Sequence, residues 1–188
     1  MNALFRAALN VQQRLQDNDW AFCFIGGIAL QYWGEPRLTR DLDLSIFTGF
    51  GGEEGVIDTL LTVYSSRISQ PREFALARRI LLLQDDDGIP LDISLGGLPF
   101  ESRCVERSIG AQFIAGVTLR ICSLEDLIVL KAFADRLRDW ADLEGIILRQ
   151  KMINWDQVFY EIAPLCDLKE APEIPKKLSD LRSQREMR

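Results

Sequence analysis

The stretch WAFCFIGGIALQYWGEPRLTRDLDLSIF, Trp20 to Phe47, carries the argument for the fold. Its first six residues, Trp20 to Ile25, form a short apolar run that reads as a buried strand, and Gly26-Gly27 ends it. Ile28 to Trp33 reads as a helix closed by Gly34 and Pro36. In Leu42 to Phe47, the apolar Leu42, Leu44 and Ile46 alternate with Asp41, Asp43 and Ser45, the period of a strand with one apolar face. Strand, glycine turn, helix and second strand in this span predict an α/β (α+β) fold on a mixed sheet.

Outward from this segment the pattern continues. Upstream, Leu4, Ala7, Ala8, Val11 and Leu15 recur at a helical period between Asn2 and Gln16. Downstream, a glycine-rich loop at Gly49 to Gly55 leads into a helix expected around Val56 to Ser66. Arg79 to Gln84 and Ile89 to Ser94 flank Asp85-Asp86-Asp87-Gly88, the signal of an antiparallel hairpin. Gly96-Gly97 and Pro99 mark a break, and Val117 to Ile121 reads as one more strand. Ser123 followed by Asp126 caps a helix to about Leu137. Helical patterns follow near Asp139 to Gln150 and Asn154 to Leu168. The expected organisation is an α/β core over 1–100 and a mostly helical subdomain over 101–188, with a polar tail from about 171.

Composition narrows the chemistry. The 188 residues contain no histidine, which removes imidazole bases, Ser-His-Asp and Cys-His systems, and the usual zinc sets. The four cysteines are scattered without a C-x-x-C pair and read as reduced, buried hydrophobes. Chemistry must run on carboxylates, lysine, arginine, hydroxyls or backbone amides, and carboxylates suit Mg²⁺. A net charge of −6 argues against broad nucleic-acid coating. The sign is uneven: residues 1–100 hold 8 basic and 13 acidic side chains, residues 101–188 hold 14 and 15. No apolar run reaches the ~20 residues of a membrane helix, and the N-terminus lacks the order of a signal peptide, so a cytoplasmic protein is expected.

Four features concentrate the candidate chemistry. Gly26-Gly27 lets the backbone approach an anion at a helix start, or serves only as a tight turn. Asp41 and Asp43 stand two apart, the spacing that puts strand side chains on one face; a cation relieves their repulsion, or they lie solvated at a strand end. Asp92, among apolar neighbours on the second hairpin strand, joins them if the strands are adjacent, and such a set could bind a triphosphate through Mg²⁺. Lys131 occupies a slot of the stripe Leu127, Leu130, Lys131, Ala134, either snorkelling at its edge or reaching phosphates. Arg37 and Thr39 are phosphate ligands or the turn before the strand.

In this order, Gly26-Gly27, Arg37-x-Thr39-x-Asp41-x-Asp43, Asp92 and Ser123-Leu-Glu-Asp126-Leu-x-x-x-Lys131 with Arg136, Arg138-Asp139 and Asp142, the sequence resembles the nucleotidyltransferase (polymerase-beta-like) superfamily, nearest its minimal AbiEii-type toxin branch. The resemblance covers about Phe22 to Leu148. It implies a mixed β-sheet with helices followed by a mostly helical C-terminal half. Gly26 and Gly27 would hold the triphosphate, Asp41 and Asp43 two Mg²⁺ ions, and Asp92 would complete the metal site or activate the acceptor hydroxyl. Lys131 would reach the phosphates. Most members carry Ser where Gly27 stands, so one phosphate-contacting hydroxyl is missing.

The expected function is transfer of an NMP from an NTP to a hydroxyl, with RNA (a tRNA 3′ end) as acceptor and a cognate antitoxin as partner. The alternatives are AMP transfer to a protein hydroxyl and an inactive binding member of the fold. The phosphatase signature D-x-D-x-[ST] fits Asp41-x-Asp43-x-Ser45 in letters only, because Pro36 to Arg40 is polar where a buried strand should precede it. Asp85 to Gly88 lacks the ligand ladder and closing Glu of an EF-hand.

Overall fold

A computed structural model describes residues 2–186; the last two residues of the basic stretch Lys176 to Arg188 lie outside the described residues. Helix α1 (Ala3–Asp17) opens the chain, capped by Asn2, which accepts a hydrogen bond from Phe5 N. There follow β1 (Phe22–Phe24), α2 (Gly26–Trp33), β2 (Leu42–Phe47), α3 (Glu53–Leu61), β3 (Ser65–Ser66), α4 (Pro71–Arg78), β4 (Ile80–Gln84), β5 (Pro90–Gly96), α5 (Pro99–Glu106), β6 (Ile109–Ile114) and β7 (Val117–Ile121). Helices α6 (Leu124–Ala134), α7 (Leu137–Arg149), α8 (Trp155–Lys169) and α9 (Glu173–Glu186) complete it. Two compact units result, neither bounded at residue 100. One takes the residues up to Ile28 with Leu38–Cys122; the other takes Ala29–Arg37 with the residues from Ser123 on.

The N-terminal unit is built on a seven-stranded mixed sheet of order β3-β4-β5-β2-β1-β7-β6. Strand β1 lies inside it, antiparallel to β2 and parallel to β7, and its Phe22, Cys23 and Phe24 are all buried. Strands β2 and β5 run parallel, pairing Leu42 with Leu91, Leu44 with Ile93 and Ile46 with Leu95, all buried. The alternate pairs, Asp43 with Asp92 and Ser45 with Ser94, therefore share the opposite face. Helix α1 buries Ala7, Ala8, Val11 and Leu15, the stripe its spacing predicts. It is tied to β7 through Gln12, whose side chain donates to Thr118 O (2.9 Å) and accepts from Arg120 N (2.8 Å).

Departures from the sequence reading have local causes. The helix expected to reach Ser66 stops at Leu61, because Ser65 and Ser66 pair with Gln84 and Leu83 as an edge strand. Pro99, expected to mark a break, instead begins α5, and Pro71 begins α4, since proline suits the first helical turn. Strand β6 has little apolar alternation: it is largely exposed, with a bulge between Gln112 and Ile114.

In the C-terminal unit, Ser123 caps α6 as expected, accepting from Asp126 N (3.1 Å) and donating to the Asp126 carboxylate (2.6 Å). Helix α6 is buried almost all round, Lys131 included. The polar tail predicted from about residue 171 is instead α9, which buries Ile174 and Leu178, one turn apart. Its long, charged remainder hides that stripe in the sequence. All four cysteines are buried thiols that form no disulfide. Among the described residues no helix is long and apolar enough to cross a membrane.

Candidate active site

The site begins where β1 gives way to α2. Gly26 has φ +54°, and a methyl group on it would lie 2.0 Å from Asp43 Oδ2. The residue must be glycine twice over, for its backbone and for the closeness of the carboxylate. Gly27 N donates to Asp43 Oδ2 at 3.3 Å. A methyl group on Gly27 would meet Thr39 Oγ1 at 2.4 Å. The space that a serine side chain would use at position 27 is thus filled by a threonine hydroxyl from the strand approach. Thr39 is buried, and its hydroxyl donates to Asp41 Oδ1 at 2.7 Å.

Asp41 stands just outside β2, one residue before its first bonded position, and is exposed. Asp43 lies within β2, opposite Asp92 on β5. Parallel neighbours in register are about 4.8 Å apart, so two carboxylates there repel unless cations offset them. Asp92 has such a cation: Arg67, just beyond β3, donates from Nη2 to Asp92 Oδ1. Its Nε donates to Leu83 O at 2.9 Å, and its backbone N to Leu82 O at 3.1 Å. Nothing in the sequence singles out Arg67, which sits alone in a serine-rich turn. Among the described residues no three His, Cys, Asp or Glu side chains close on one point to hold a metal. The expected convergence is therefore a pair, Asp43 with Asp92, and an Asp41 oriented by Thr39. Their oxygen donors match a hard cation in kind.

A second polar cluster belongs to the C-terminal unit. Lys131, 5% exposed, donates to Asp142 (2.6 Å) and Asp139 (3.1 Å). Arg37 grips the same Asp142 with both ends of its fork, at 2.9 and 3.0 Å. Burial pushes the Asp142 carboxyl up, but the hydrogen bonds from Arg37 and Lys131 outweigh it and hold the group below the usual carboxylate range. Asp139 Oδ2 is buried without a hydrogen bond, 3.8 Å from Arg136 Nε. Thr39 and Arg37, adjacent in the motif, fall in different units: Thr39 orients Asp41, while Arg37 is bound to a carboxylate. Lys131 uses two of its three ammonium donors in the same cluster.

Residues 11–152 match the family model described as "Nucleotidyl transferase AbiEii toxin, Type IV TA system". The chain belongs to the AbiEii nucleotidyltransferase toxin family. Both clusters of this AbiEii-family nucleotidyltransferase, from Gly26 to Asp142, lie within the matched segment. Solved structures share its fold. An antigenic nucleotidyltransferase-like protein from Paracoccidioides brasiliensis superposes with a TM-score of 0.51 at 16% identity, over 95% of this chain and 92% of that one. The lincosamide antibiotic adenylyltransferase LnuA, in a lincomycin-bound structure, superposes with a TM-score of 0.52 at 12% identity, over 78% of this chain and 96% of that one. No curated protein matches the AbiEii-family sequence.

Proposed function

We propose that this AbiEii-family nucleotidyltransferase moves an NMP from Mg²⁺-bound NTP to a hydroxyl of RNA, such as a tRNA 3′ end, in the cytoplasm, as the toxin of a toxin–antitoxin pair with a cognate antitoxin protein. The observation that carries the chemistry is the Asp43–Asp92 pair, in register on parallel strands beside the Gly26-Gly27 turn. The antitoxin rests on family membership; RNA as the acceptor class rests on the sequence resemblance alone.

In this reading Asp41 and Asp43 would hold two Mg²⁺ ions, and Asp92 would complete the metal site or act as the base for the acceptor. Bound Mg²⁺ would offset phosphate charge and lower the pKa of the attacking hydroxyl. The remaining work is done by the protein. The amides of the glycine turn bind the triphosphate, and Lys131 offers its third donor as a point charge for phosphate. Thr39 orients Asp41, so its contribution to phosphate binding is indirect. The acceptor oxygen forms a bond to the α-phosphorus, the bond to the β-phosphate oxygen breaks, and pyrophosphate leaves. The acceptor proton passes to the Asp92 carboxylate or to solvent.

The test uses the purified protein, Mg²⁺, each α-labelled NTP in turn, and bacterial RNA plus lysate protein. Label is expected on a tRNA-sized band and is lost in Asp41→Ala. Label on protein would move the acceptor to protein hydroxyls. Asp41→Asn and Asp43→Asn are each expected to abolish Mg²⁺-dependent NTP binding; unchanged binding would remove the metal assignment.

A further inference from the structure

Three strands of the sheet, and the residue just beyond a fourth, carry one row of residues across the candidate site. Asp43 on β2 pairs with Asp92 on β5, Asp92 pairs with Leu82 on β4, and Leu82 O accepts from the backbone N of Arg67 beyond β3. The Arg67 guanidinium crosses back over β4, is pinned by Leu83 O at 2.9 Å, and meets Asp92 Oδ1. It reaches Asp92 from the side opposite Asp43.

We propose that Arg67 is the positioning residue of Asp92: it holds one carboxylate oxygen from behind, so that the other is presented to the Asp43 side of the sheet. The proposal rests on the reading of Asp41, Asp43 and Asp92 as the cation-binding set. Three physical points carry it. Two carboxylates opposite one another on adjacent strands repel, and a fixed guanidinium beside one of them offsets that without occupying the space between them. A planar fork tied to a backbone carbonyl has little freedom left to lose, so it fixes the rotamer of its partner as a free lysine would not. The side chains of this ion pair are 28% and 38% exposed, and pairs at that exposure add little to folding stability. Its effect therefore belongs to the site, where hydrogen-bond partners of metal-ligating carboxylates control affinity by 10–100-fold.

The experiment is a Mn²⁺ titration of the full-length protein, read by the EPR signal of free Mn²⁺, with thermal unfolding of the metal-free protein in parallel. Arg67→Ala is expected to bind Mn²⁺ about 10–100-fold more weakly than wild type, with an unfolding temperature close to that of wild type. Arg67→Lys, which keeps charge and loses the fork, is expected to fall between the two. Mn²⁺ binding by Arg67→Ala as tight as wild type, or tighter, would overturn the proposal and make Arg67 a bystander or a competitor for Asp92. Asp43→Asn is the separate arm. Wild type and Asp43→Asn binding Mn²⁺ equally would remove the carboxylate set itself, and the role of Arg67 with it. Loss in Asp43→Asn without loss in Arg67→Ala would remove Arg67 alone.

Discussion

Replacing Gly26 by alanine tests the tightest contact in the site. The backbone there has φ +54°, a conformation that costs an L-residue about 1–2 kcal/mol. The new methyl would also lie 2.0 Å from Asp43 Oδ2, so the carboxylate must rotate away and give up the N–H of Gly27. A hydrogen bond to a charged group contributes about 1.5–3 kcal/mol, and at 3.3 Å the lower end applies. The sum, about 2–4 kcal/mol, corresponds to a fall in unfolding temperature of roughly 4–16 °C for a chain of this size. Gly88→Ala is the control: φ there is +76° and nothing lies within 4 Å, so it carries the backbone cost alone. Scanning calorimetry of both variants, with Mn²⁺–NTP binding by isothermal titration, separates the two contributions. Gly26→Ala should be the less stable and should lose binding, while Gly88→Ala binds as wild type. Equal losses of stability with binding intact in both would refute the argument that Gly26 exists to admit Asp43.

Gly27→Ala should destabilise through Thr39, and Gly27→Ala with Thr39→Gly should lose about 1–2 kcal/mol less than the two single changes added, because the overlapping Oγ1 and Cβ are gone; simple additivity in urea unfolding would contradict the overlap. Lys131→Met leaves Asp139 and Asp142 buried without their shared ammonium and should cost about 3–5 kcal/mol; a loss below about 1 kcal/mol would show that the cluster does not depend on the lysine. Asp142 is held below its ordinary range in the folded protein, so its contribution is complete at neutral pH and is lost as pH falls below about 4 and through the folded value. Unfolding temperature should drop over that interval, and more shallowly in Asp142→Asn; identical acid slopes would remove Asp142 from the account.

The local units of the site were legible from the order of residues alone. Apolar runs and alternation between Trp20 and Phe47 marked both strands, and the glycine pair between the first strand and its helix was legible because few other residues fit such a turn. The Asp85 to Gly88 turn announced the hairpin of β4 and β5, and Ser123 with Asp126 announced the start of α6. Each of these signals is short in range, carried by neighbours on one helix turn or one strand.

Long-range packing sets what periodicity cannot express. Asp43 meets Asp92 only because β2 and β5, distant in sequence, pair parallel and in one register. A shift of one residue would have put the carboxylate of one strand beside a leucine of the other. Thr39 fills the place beside Gly27, Arg67 reaches Asp92 across β4, and Arg37 and Lys131 share Asp142, all through contacts between residues far apart along the chain or between side chains whose directions the fold selects. Such contacts depend on which faces pack together, a property of the whole chain's burial of apolar surface. The candidate residues could be named from the sequence, but their partners could not.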